Sequence, residues 1–218
     1  MKVRCTMAIL TVSRRCIAVA ALLALGACGA LSPSATPRSL FYTLDRPQHA
    51  APPSASAALE APTLIVSPTH AAAGFDSARI IYVREAHRLD YYAHSEWVDP
   101  PARMLMPLLV AAAQASGVFR AVVLTPSAAA GDLRLDSEIM RLQHDFQSRP
   151  SRVHFSLRLY LVESKTRRVL AWREFDASVV ATSEDAYGGV VAANQAVQAV
   201  LAQASVFLTE SVRQARSP

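Results

Sequence analysis

Beyond residue 28 the 218-residue chain has no cysteine. Cys5, Cys16 and Cys28 all lie near the N-terminus, so no disulfide can form within the body of the chain. That body also lacks an apolar run long and charge-free enough to cross a bilayer, which takes about 20 residues as a helix. Catalytic signatures are missing too. There is no GxxxxGK[ST] loop, so the chain is not a P-loop ATPase, and no serine sits in a GxSxG turn. The six histidines (His49, His70, His87, His94, His144, His154) show no HExxH or other metal-binding spacing. Asp90, Glu96 and Asp99 could pair for acid–base work, but acids so placed more often cap helices or face solvent. The expectation is a protein that is not an enzyme and holds no metal or small cofactor.

The first residues are informative. Lys2, Arg4, Arg14 and Arg15 precede residues 16–27 (CIAVAALLALGA), which carry no charge. A basic leader, a short apolar stretch and small residues before a cut describe an export signal. Leu25-Gly26-Ala27-Cys28 resembles the lipobox of bacterial lipoproteins. The resemblance implies a cleaved signal peptide over 1–27 and a diacylglycerol on the Cys28 thiol, often with a further acyl chain on the new amine. Two or three such chains, at roughly 0.8 kcal/mol per buried CH₂, anchor a protein stably. The alternative is an ordinary secreted protein in which Cys28 is incidental. Four of the 22 Lys and Arg lie in the leader and all 17 acids beyond it, which leaves the mature chain a net charge of +1. The basic pI is thus partly a property of the leader, and no nucleic-acid partner is expected.

Residues 29–38 (GALSPSATPR) read as a flexible tether, 41–44 (FYTL) as a short strand, and 46–61 as a second Ala/Pro/Ser-rich stretch. The lipidated, tethered segment therefore covers 28–62 and the folded domain 63–218. Within the domain, 63–67 (TLIVS) suggests a buried strand, and 79–84 with 89–92 a hairpin. Asp99 and Pro100 mark a helix start, with Leu105, Leu108 and Leu109 in its apolar stripe and Gly117 at its stop. Pro107 should kink this helix or delay its start. Residues 133–146, 153–161 and 169–180 form a meander, the middle strand alternating strictly between apolar and polar. Residues 187–213 make a long amphipathic helix, with Ser183-Glu184-Asp185 as its cap. The fold class is α+β: an antiparallel sheet of about four to five strands with two main helices on one face.

Residues 41–44, the stretch 75–105 with Tyr91-Tyr92, Trp97 and Pro100-Pro101, the strand pair over 153–180, and Ala193-Asn194-Gln195-Ala196 carry a wider similarity. Together they resemble the ABC-type transport auxiliary lipoproteins, the PqiC-like family. The resemblance implies a periplasm-facing, lipid-anchored component of a system moving phospholipid between membranes. Its partners would be an MCE-domain protein of an ABC-type transporter, the membrane through the lipid anchor, and possible further copies of the chain in a homo-oligomer. Gly29 after the cysteine, rather than Asp, favours the outer membrane under the sorting rule of enteric bacteria. An assembly or plug lipoprotein of an outer-membrane β-barrel, as in lipopolysaccharide export, is the alternative, and a lipid-anchored hydrolase the third reading.

Tyr91, Tyr92 and Trp97 are the candidate partner-binding residues, because aromatics with a polar tip suit interface centres. Packing of Trp97 and one tyrosine against the first helix is the competing reading. The basic residues Arg141, Arg149, Arg152, Lys165, Arg167 and Arg168 could meet anionic headgroups or could simply line strand ends and turns.

Overall fold

The computed structural model describes residues 38–45, 60–126 and 130–216. The signal segment, Cys28 and most of both low-complexity stretches lie outside them. Among the described residues nine strands and two helices follow in the order β1 (Leu40–Tyr42), β2 (Thr63–Val66), β3 (His70–Ala71), β4 (Arg79–Val83), β5 (Asp90–Trp97), α1 (Pro101–Ala115), β6 (Ala121–Leu124), β7 (Leu133–Asp145), β8 (Arg152–Glu163), β9 (Val169–Val180) and α2 (Ala186–Arg216).

The long meander β7–β8–β9 is the frame. Val153, Phe155, Leu157, Leu159 and Leu161 alternate along β8 and are all buried, opposite His144, Leu142, Ile139, Ser137 and Leu135 of β7. On its other edge β7 carries three short strands laid end to end, all parallel to it. Leu64 of β2 lies beside Leu133, His70 of β3 beside Glu138, and Tyr82 of β4 beside His144. Residues 63–83 thus run once along β7, with a loop let out between β3 and β4. β6 extends this side by pairing parallel to β2, while β5 pairs antiparallel to β4 and β1 parallel to β5.

The expected antiparallel sheet of four to five strands is therefore wrong. The sheet is mixed, with nine strands, five of its pairings being parallel. The strands β1, β2, β3, β4 and β6 that make these parallel pairings are two to five residues long, too short to show a period, and their partners are up to 69 residues away.

α2 packs against β7, β8 and β9, α1 against β2 and β6, and the two helices touch each other. Phe207 of α2 meets Phe175 of β9 edge-on at 5.7 Å. The expectation that no run past the leader is long and charge-free enough to cross a bilayer is corrected by α2. It passes by length and composition, yet half of its most apolar stretch is buried in this fold, as in the core helix of a folded domain. α1 starts one residue later than expected, with Pro100 as N-cap and Pro101 at the first helical position. Pro107 does not delay or end it. Arg103, whose carbonyl loses its partner to Pro107, is exposed, as is Pro107 itself, so water can satisfy that carbonyl. Gly117 follows at φ +68 and its N–H bonds to the Gln114 carbonyl, closing the helix as expected.

Candidate interaction surface

The three aromatics named from sequence take three different positions on β5. Tyr91 is exposed, with the Arg79 guanidinium 4.9 Å from its ring centre. Trp97 is 3 % exposed and packs in the core beside Ile80, Leu142 and Ala193. Tyr92 turns inward, its ring tilted against Tyr82 at 4.8 Å between centres, and its hydroxyl lies 3.0 Å from His144 Nδ1. They do not form one patch.

Tyr92 opens a polar chain that passes through the buried His144 and Ser151 to the exposed Glu184. His144 Nε2 is 2.8 Å from Ser151 Oγ, and the Ser151 N–H donates to Glu184 Oε1 at 2.9 Å. Asp185 caps α2 by accepting the Gly188 N–H at 2.8 Å. Gly189 sits directly on the imidazole: a Cβ there would lie 2.5 Å from Nδ1. Burial lowers the His144 pKa, against the pull of Glu184, Asp185 and Asp145, while burial first of all raises that of Tyr92. Hydrogen bonds from Ser151 and Gly188 hold Glu184 and Asp185 below their usual ranges. The serine–histidine contact has the spacing of a nucleophile and its base. Ser151 is nevertheless fully buried, and the adjoining void of about 10 Å³ has no room for a substrate. The chain fastens the start of α2 to the sheet. Among the described residues no group of three His, Cys, Asp or Glu could hold a metal.

The sheet face away from the helices is a ladder of charges. Arg158 reaches Glu138 at 3.6 Å and Glu174 at 2.8 Å, Arg141 reaches Asp176 at 3.4 Å, and Arg134 pairs with Asp136 at 2.8 Å. Being solvent-facing, each pair contributes at most about 1 kcal/mol. Trp172 interrupts this face, 61 % exposed and stacked on Tyr160. Sequence reasoning missed it, although Trp172 shares its face of β9 with Glu174, Asp176 and Ser178, which already marks that face as outward. The basic residues do not form a strip. Arg149 and Arg152 lie at one end of β8 and Lys165, Arg167 and Arg168 at the other, about 35 Å apart for a 12-residue strand.

A groove of about 930 Å³ runs between β1 and α2, lined by Phe41, Tyr42, Tyr187, Val190 and Val191 among others. Its floor is tied by Asn194 from the Ala193-Asn194-Gln195-Ala196 stretch. Asn194 Oδ1 accepts the Asp45 N–H at 2.8 Å and Nδ2 donates to the Thr43 carbonyl at 3.1 Å, while Gln198 Nε2 donates to the Asp45 carbonyl at 2.6 Å. Asn194→Ala should speed amide exchange at Asp45 by roughly five- to tenfold, since a lost hydrogen bond costs about 1 kcal/mol. Hydrogen-exchange mass spectrometry of the 40–45 peptide reads this, and unchanged exchange would mean that Gln198 alone holds the segment.

Comparison with known proteins gives these features a family. The chain is similar in fold to a Xanthomonas campestris protein of the DUF330 family: its crystal structure superposes with TM-score 0.70 at 23% identity, over 81% of this chain and 98% of that one. A crystal structure of an uncharacterised protein superposes with TM-score 0.58 at 15% identity, over 81% of this chain and 99% of the other. No curated protein matches the sequence significantly. The family model described as ABC-type transport auxiliary lipoprotein component matches residues 42–205, from the end of β1 well into α2. On that match, the chain belongs to the family of ABC-type transport auxiliary lipoprotein components.

Proposed function

We propose that the protein is a lipid-anchored docking subunit of an MCE/ABC-type transporter that moves phospholipid between membranes. The family match carries this reading. Cys28 holds the protein to the periplasmic face of the outer membrane, as Gly29 favours, and the α+β domain grips the transporter complex. A non-enzymatic role accords with the sealing of Ser151 and His144 away from solvent. The open features of the described surface include a charged ladder, an exposed aromatic pair and an apolar groove, and also a cleft of about 620 Å³ lined by Glu60, Arg120, Asp132, Glu163, Arg168 and Arg216.

Crosslinked pull-down of the tagged protein from native membranes tests it. Recovery of an MCE-domain protein with its permease is the expected result. Recovery of an outer-membrane β-barrel without an MCE protein would overturn it in favour of an assembly factor. Labelled palmitate should enter the wild-type chain and not Cys28→Ala; equal labelling would sink the lipid anchor.

A further inference from the structure

Exposed aromatics from segments about 145 residues apart, Phe41 and Tyr187, line one groove beside the start of the described domain, with the half-buried Tyr42 bridging to Tyr187. Phe41 is 64 % and Tyr187 62 % exposed, Leu40 beside them 57 %, and Tyr42 lies 6.5 Å from Tyr187 between ring centres. With Val190 and Val191 they frame the apolar groove between β1 and α2. None of the three is needed to fill the core. We infer that this patch rests on the lipid surface to which Cys28 is tethered and so fixes which face of the domain looks away from the membrane.

The covalent geometry selects this occupant over others. Leu40 is the twelfth residue after Cys28, so it cannot be more than about 40 Å from the anchor. Among the described residues no other exposed apolar group is tied so closely to the anchor along the chain. Trp172 lies on the charged sheet face, and Val206 stands 19 residues along α2 from Tyr187, about 28 Å away. A tether this short keeps the patch at a high local concentration of bilayer, so a contact too weak to bind a free protein suffices to orient an anchored one. The residue types fit as well. Phe and Leu enter the acyl boundary, and Tyr places its ring there with its hydroxyl among headgroups. Arg38 and Asp45 flank the patch at β1, and Glu184 and Asp185 flank it beside Tyr187, so anionic headgroups do not draw it in and added salt should not weaken the contact.

The inference rests on the lipid anchor, and the test is built to separate the two. In the mature chain, residues 28–218, which hold every described element, Cys28 is the sole thiol. It can be coupled to maleimide-bearing lipid in vesicles of phosphatidylethanolamine and phosphatidylglycerol, whether or not cells acylate it. In a Trp172→Phe background, tryptophan is placed at the patch (Tyr187→Trp) or remote from it (Val206→Trp), and quenching by brominated acyl chains is measured. At least threefold stronger quenching at 187 than at 206, lost on adding Phe41→Ser, is the expected result. Equal quenching at both positions, none at 187, or no effect of Phe41→Ser would overturn the inference. So would quenching at neither position together with crosslinks from the patch to a protein in native membranes. Each change is at an exposed position, and unchanged melting confirms that the domain stays folded. Failure of palmitate labelling in cells would remove the anchor while leaving the vesicle result intact.

Discussion

Trp97→Ala should lower the melting temperature by roughly 10 °C. Trp97 is the largest side chain of β5 to enter the core and is 3 % exposed. Ile80, Ile81, Leu142, Val153 and Ala193 surround it, and the void they share with it measures about 10 Å³. These neighbours belong to β4, β7, β8 and α2, which are fixed by their own ladders and cannot collapse into the hole. Truncating a buried aromatic in such a setting costs about 3–5 kcal/mol, and a domain of this size loses about 2–4 °C per kcal/mol. Trp97 also marks where β5 ends: its N–H donates to the Ala78 carbonyl at 2.7 Å, and the next residue, Val98, donates to Tyr42 of β1 at 2.8 Å. A cavity here therefore loosens β1, and with it the base of the tether. Calorimetry decides the matter. A fall under 3 °C with loss of partner capture would assign Trp97 to an interface instead. Tyr91→Ala, at an exposed position on the same strand, should change melting by less than 3 °C and so serves as the control.

The contrast between Tyr91 and Trp97 shows what the sequence could and could not tell. The meander was legible because β8 alternates strictly and one face must be buried. β7, β9 and α2 were legible through their length. The parallel half of the sheet was not. Leu64 to Val66 advertise a buried strand, but nothing local says that Leu133 to Leu135 lie beside them. Two-residue β3 has no pattern at all, and Ala121–Leu124 reads equally well as loop or strand. Such strands exist because β7 supplies an open edge long enough to hold three of them in turn. The aromatic cluster 91–97 suggested one patch because a strand shows both faces to the reader at once. Only its pairing with β4 decides which face turns inward. Asn194 illustrates the opposite case: the motif was visible, but its task of tying residues 43 and 45 became clear only with β1 in place.

Acid should destabilise the fold in two stages, and the first belongs to the histidines. His144 is 2 % exposed with its pKa lowered, above all by burial. The unfolded chain takes up this proton near pH 6.5, whereas the folded chain refuses it until lower pH. Between those values the unfolded state binds more protons, so stability is complete above about pH 6.5 and declines as pH falls. The slope contributed is at most about 1.4 kcal/mol per pH unit for each histidine. His154, also held low by burial and then by Arg141, adds to the same window. The second stage comes from Glu184 and Asp185, whose lowered pKa values make their contribution present above the carboxylate range and lost as pH drops through it. His144→Gln should therefore flatten the melting temperature between pH 7 and 5 without abolishing the fall below pH 4.5. The remaining slope between 7 and 5 reports His154. Melting curves at half-unit steps separate the stages. An unchanged slope in His144→Gln would show that the buried imidazole already accepts a proton near pH 6.5. The Tyr92–His144–Ser151 chain would then be held together by charge rather than by a neutral ring sealed under Gly189.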